Sequence, residues 1–166
     1  MPPAAPALKG CAVAPDALLK LRAEDRDDLA VISTCLQDAL IVVKDLVYDR
    51  DAHSFTLVAN RFRWESQADK TNGGATTYER THCAVTFAMV EGVSYRGFRR
   101  SEVDRILSLL AIRPGDKTGD KAETIDLEFS GGAAVRLTVG AIRVRAADIG
   151  EPWPTAWQPD HEAGAP

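Results

Sequence analysis

The groups in this chain that could make or break bonds are three histidines, three cysteines and a scatter of carboxylates, and their spacing argues against most such chemistry. A zinc centre gathers three or four ligands at short intervals. His53, His82 and His161 stand far apart, the first at a turn, the second on the polar parity of a strand and the third in the tail. His82 adjoins Cys83, but neighbours on a strand point to opposite faces, so the imidazole cannot activate the thiol. Cys83 and Cys35 therefore read as buried structural cysteines, and Cys11 as an exposed one in a mobile lead-in. An odd count at wide spacing supplies neither a disulfide framework nor a CxxC site. Asp45, Asp49 and Asp51 surround a turn, yet they lack the internal glycine and closing acid of an EF-hand and enclose Arg50. Gly73-Gly74 and Gly131-Gly132 match no phosphate-binding fingerprint and read as turns. No catalytic, metal-binding or cofactor-binding residue is assigned, and no cofactor is expected.

Basic and aromatic side chains offer more. Arg96, Arg99 and Arg100 around Tyr95 and Phe98 form the best anion-binding signal, since guanidinium groups pair bidentately with carboxylate or phosphate and rings add stacking. Glu102 and Asp104 follow closely and are expected to pair with these arginines. Arg61, Arg63 and Trp64 make a second surface cluster. Trp153 and Trp157 can anchor an interface or cover a sheet edge. These features point to a non-catalytic protein- or peptide-interaction module, with a protein partner or a homodimer formed through a sheet edge. The alternative is a weak anion or single-stranded nucleic-acid binder using the Arg96–Arg100 patch. A formal charge of -4 gives no general reason to expect nucleic acid, and an enzyme is the lesser expectation.

The elements that must hold these groups are mostly strands. TIDLEFSGGAAVRLTV (124–139) alternates Ile125, Leu127, Phe129, Val135, Leu137 and Val139 on one face against Asp126, Glu128, Arg136 and Thr138 on the other. A three-residue loop opposing Ser130 to Ala134 would set Phe129 across from Val135 and Glu128 across from Arg136. Asp25 caps a helix of about twelve residues that carries Leu29, Ile32, Ser33, Leu36 and Leu40 on one stripe. LIVVKDLVYD and SFTLVANRFRW form a hairpin whose large residues change parity near Asn60, which calls for a bulge there or for cover on both faces. Residues 65–77 read as a long exposed loop, Thr81 to Val90 as a strand, Glu91-Gly92 as a turn, and ILSLLAI as a central strand. The pattern predicts an α+β fold of seven or eight strands: a mainly antiparallel, strongly bent sheet or a partly closed, pleckstrin-homology-like barrel, with one packed helix. Residues 1–17 are expected to be a flexible segment, 18–158 a single domain and 159–166 a flexible tail. The absence of a signal-peptide pattern and of a long apolar run points to a cytoplasmic protein with no membrane partner.

LAVISTCLQDALIVVKDLVYD, FTLVANRFRWE, ILSLLAI, IDLEFSGGAAVRLTV and EPWPTAW, in this order, resemble the family called domain of unknown function 2948 over roughly Leu21 to Trp157. Gln37, Asp38, Asn60, Arg61, Phe62, Trp64, Gly131 and Gly132 fall on recognisable parts of its pattern. The resemblance implies an alphaproteobacterial origin and carries no catalytic role to any of these residues.

Overall fold

The computed structural model describes residues 18–65, 69–70, 76–115 and 123–155. The one α-helix among them, α1 (Arg26–Cys35), starts where its capping chemistry dictates. The Asp25 carboxylate accepts from the Asp28 amide at 2.8 Å, and Asp27 and Asp28 face the positive end of the helix dipole. Leu29, Ile32 and Cys35 are buried, with Leu36 beyond them. The helix is shorter than expected because Asp38 takes a φ of 64° and turns its amide to the Leu109 carbonyl, which sends Leu40 into a strand.

Among the described residues eleven strands form one antiparallel sheet: β1 (Lys20–Ala23), β2 (Leu40–Val42), β3 (Val47–Asp49), β4 (Ser54–Phe62), β5 (Asp69–Lys70), β6 (Thr76–Phe87), β7 (Val90–Arg96), β8 (Ile106–Pro114), β9 (Glu123–Phe129), β10 (Ala134–Val139) and β11 (Val144–Thr155). The order is β1-β11-β6-β4-β2-β8-β9-β10-β7, with β3 added to β4 and β5 to β6. β1 and β7 end this path unpaired with each other, so the sheet is open and the partly closed barrel is not formed. A 3-10 turn at Val43–Asp45 divides what the sequence presents as one strand. On one side of it β2 bridges β4 and β8; on the other β3 stays with β4 alone. Inward residues of both halves of the sheet and the apolar stripe of α1 share one hydrophobic cluster. No helix among the described residues is long and apolar enough to cross a membrane.

The hairpin of β9 and β10 has the expected inner face, with all six of its apolar residues buried. Its register differs. Phe129 donates to the Ala133 carbonyl, so the loop is Ser130–Gly132, and Arg136 lies across from Asp126 while Glu128 faces Ala134. Gly131 and Gly132 take φ of 75° and 80°, a conformation glycine adopts without a Cβ penalty. Moving both partners by one residue keeps parity, so the apolar pattern could not distinguish the two registers. Arg136 then holds Asp126 by two hydrogen bonds, at 2.7 and 2.9 Å.

Of the two alternatives at Asn60, the strand takes cover on both faces: β4 stays in register with β6 through Phe62 without a bulge. Arg61 takes the next inward position, and Phe62 is buried on the opposite face, beneath the rings of Trp64 and Tyr78. The 65–77 stretch is not all loop, because Asp69–Lys70 pairs with Thr76–Thr77. The turn expected at Glu91-Gly92 lies at Met89, which takes a φ of 55° and is exposed, and β7 runs straight through Glu91 and Gly92. The 1–17 and 159–166 segments lie outside the described residues.

Candidate functional site

Arg61 is fully buried, and it pairs with two buried carboxylates. It continues the inward parity of Phe55, Leu57 and Ala59, where another apolar side chain would be expected. Its Nε and Nη2 donate to Asp148 at 2.8 and 2.7 Å, its Nη2 and Nη1 to Glu65 at 2.6 and 3.1 Å, and Nη1 also to the Phe62 carbonyl at 3.5 Å. All five guanidinium donors are thereby used. Burial alone would pull this guanidinium down; hydrogen bonds to Asp148 and Glu65, with their charges, outweigh it and hold the group above its ordinary value. Asp148 also accepts from the Leu19 amide at 2.8 Å, so the cluster ties the start of β1 to β4 and β11. The surface cluster expected at Arg61, Arg63 and Trp64 is corrected: Arg61 and Arg63 are buried and Trp64 is half-buried.

A second layer surrounds this lock. Arg63 pairs with Glu79, Arg80 donates to the Asn60 side chain and carbonyl at 2.6 and 2.9 Å, and the Trp64 indole donates to the Gln37 carbonyl at 3.3 Å. Burial lowers the Arg80 guanidinium from its ordinary range, partly opposed by the Asp38 carboxylate. Gln37, Asp38, Asn60, Arg61, Phe62 and Trp64, scattered in sequence, thus converge on one end of β4. Sequence reasoning missed Glu65, Glu79, Arg80 and Asp148. A signal existed for two members: Arg61 and Asp148 both sit at inward parity among apolar neighbours, Asp148 following Val144 and Ala146. Two opposite charges on core positions imply each other, because neither can be buried alone.

Cys83, next to this lock, is buried and free, and burial pushes its thiol up to about 12, which removes it as a nucleophile. Cys35 is buried at the end of α1, as expected. His82 points to the other face, where its ring meets Trp153 at 4.8 Å. Trp153 continues β11 opposite Arg80, past a bulge at Gly150, so the tryptophan arm is a strand as far as Thr155. Trp157 lies outside the described residues.

The Tyr95–Arg100 patch is split by strand parity. Arg96 faces outward in a hollow with Arg136, Asp126 and Glu128, whereas Tyr95 and Phe98 pack on the core edge to edge at 5.8 Å, with Arg100 5.2 Å over the Tyr95 ring. The expected pairing with Glu102 and Asp104 is not made. Glu102 accepts from the Arg99 backbone amide and from Arg105, and Asp104 approaches Lys44. The Arg99 amide bond and then Arg105 hold the Glu102 carboxyl below its ordinary range. Arg96, Arg99 and Arg100 form no ion pair among the described residues.

Where β3 diverges from β2, an open groove of about 640 Å³ lies between β3 and β7. Tyr48, Val93 and Tyr95 line it, Arg50 and Arg100 stand on its rim with Glu91, and the Val90 amide closes one end on the His53 carbonyl at 2.8 Å. β3 pairs only with β4 and β7 only with β10, so each strand presents an open edge among the described residues. The Tyr95 hydroxyl is buried without a hydrogen bond, and burial raises its pKa against the opposing charge of Arg100.

A family model described as "Protein of unknown function (DUF2948)" matches residues 19–161. No curated protein and no solved structure gives a match.

Proposed function

Since the chain belongs to that family, whose description assigns no activity, its role is read from its own surface, and we propose that it is a non-catalytic module binding an extended, acidic peptide segment of a protein partner in the groove between β3 and β7. The observation that carries this is the pairing of two unfilled strand edges with Arg50 and Arg100, which form no ion pair among the described residues, on the rim of a floor made by Tyr48, Val93 and Tyr95. A strand laid along β7 would take up its free backbone groups, alternate side chains would fall on Tyr48, Val93 and Tyr95, and acidic neighbours would meet the two guanidiniums. Glu91 disfavours an acidic residue only at its own position, so the two arginines set the preference. The lock at Arg61 supports the non-catalytic reading, because its donors are spent on Asp148 and Glu65.

The test is an amide-resolved NMR titration of the full chain with an extended peptide alternating valine and aspartate. Saturable shifts confined to 47–49 and 90–96, lost in Arg100→Glu with the rest of the spectrum unchanged, support the reading. Absence of saturation, or equal binding of the lysine-substituted peptide, refutes it.

A further inference from the structure

The outer face of the sheet at its β1 end holds an arrangement that nothing above uses. On this face β1 presents Lys20 and Arg22, both exposed, and β11 presents Arg145, also exposed, with Arg143 exposed just before the strand. Pairing sets Arg22 directly across from Arg145, Arg145 across from Thr86 on β6, and Thr86 across from Thr56 on β4. Like charges directly opposite each other on a sheet repel, with Cβ atoms about 4.5–5.5 Å apart. None of these four cations forms an ion pair among the described residues, although the chain as a whole is acidic.

Between these side chains lies a hollow of about 390 Å³ walled by Arg22, Arg143 and Arg145, with Thr86 and Ala88 at its side and Glu24 on its margin. An adjoining hollow of about 350 Å³ shares Arg22 and Arg145 and adds Lys20. Thr86 brings a hydroxyl that can donate, and Ala88 leaves room that a larger side chain would fill. Three guanidiniums less one carboxylate leave two positive charges around the first hollow. An anion that accepts several N–H donors at once and carries about two negative charges near neutral pH, as phosphoryl groups do, satisfies all of these features together.

We infer that this hollow is a binding site for the phosphoryl group of a small phosphomonoester, with Arg22 and Arg145 as its paired clamp, Arg143 as a third donor and Thr86 as the hydroxyl donor. The small walls of the hollow and the single carboxylate on its margin favour a compact dianion over a long polyanion. The site is on the opposite face from the β3–β7 groove and does not depend on the peptide reading.

The experiment is an NMR titration of the full chain with phenyl phosphate and, separately, inorganic phosphate, at ionic strength held constant with chloride. The expected result is saturable shifts centred on Arg22, Thr86 and Arg145 with either probe. Binding should weaken tenfold or more in Arg145→Gln, tighten in Glu24→Gln, and strengthen as pH rises through the second phosphate ionisation at about 6. Unchanged signals from the β9–β10 hairpin verify that each variant is folded. The inference is overturned by a lack of saturation, by equal shifts with chloride alone, or by retained affinity in both Arg145→Gln and Arg22→Gln. It is likewise overturned, as to ligand class, if only a single-stranded oligonucleotide binds, with steep salt dependence.

Discussion

Arg61 and the Arg22–Arg145 pair put the same side chain to opposite uses. Arg61 has no contact with solvent and meets two carboxylates, Asp148 and Glu65, across both edges of its guanidinium. Arg22 and Arg145 stand in solvent, face each other across two strands, and form no ion pair among the described residues, with Glu24 on the margin of their hollow. A guanidinium whose donors are all satisfied internally contributes a fixed geometry and has nothing left for a ligand. One held against its own kind keeps its donors free and is stabilised by whatever anion arrives. The charged residues that look most chemical in the interior are thus structural, and the plainer ones on the outer face are available.

Emptying the interior pair should have the largest effect. Arg61→Ala leaves Asp148 buried without its cation and Glu65 with Arg63 alone, at 3.6 Å, and should cost about 3–5 kcal/mol, read as a fall in the urea midpoint at constant slope. A loss near that of a surface arginine would show that the lock is open to water.

Cys83 reports on the dryness of the same region. With its thiol raised from an ordinary 9.0 to about 12, the unfolded chain releases the proton first. Stability from this group is therefore fully present below pH 9 and is lost as pH rises towards 12. Alkaline melting curves should fall more steeply for the parent protein than for Cys83→Ala, and a thiol reagent should label Cys83 only at the rate of unfolding.

Arg136 is the intermediate case: it is 60% exposed, yet it holds Asp126 with two hydrogen bonds. Arg136→Ala should cost no more than about 1 kcal/mol, because solvent screens the pair. The smallest effect should have the opposite sign. Arg145→Thr removes a facing like charge and should raise the urea midpoint by an amount equivalent to about 0.2–0.5 kcal/mol. If it lowers stability instead, the two arginines are not in conflict.

Much of the fold was legible because strand parity has a period of two, and burial of one face leaves a plain mark on the letters. The inner faces of β4, β6, β9 and β10 could be read residue by residue, and so could the Asp25 cap. Registers were not legible, since a shift of one residue on each strand preserves parity, and this moved Arg136 from Glu128 to Asp126. Charge was harder still. Arg61 on a strand named by its neighbours Arg63 and Trp64 looks like a surface cluster until Asp148 arrives from 87 residues away. The Tyr95–Arg100 run looks like one patch, but alternation sends Arg96 to one face and Tyr95 to the other.

The amino-acid sequence alone sets what is local: which positions face inward, where the helix is capped, that Gly131-Gly132 turn the β9–β10 hairpin, and that no histidine or cysteine constellation with metal-ligand spacing is present. Those properties depend on backbone periodicity and on neighbours a few residues apart. Which distant charges meet is chosen by the tertiary fold. β11 brings Asp148 to Arg61 on the inner face and Arg145 to Arg22 on the outer one. The physical reason is that the electrostatic role of an ionised side chain is set by partners and solvent within a few ångströms, and those are chosen by strand order, which residue types do not encode one at a time.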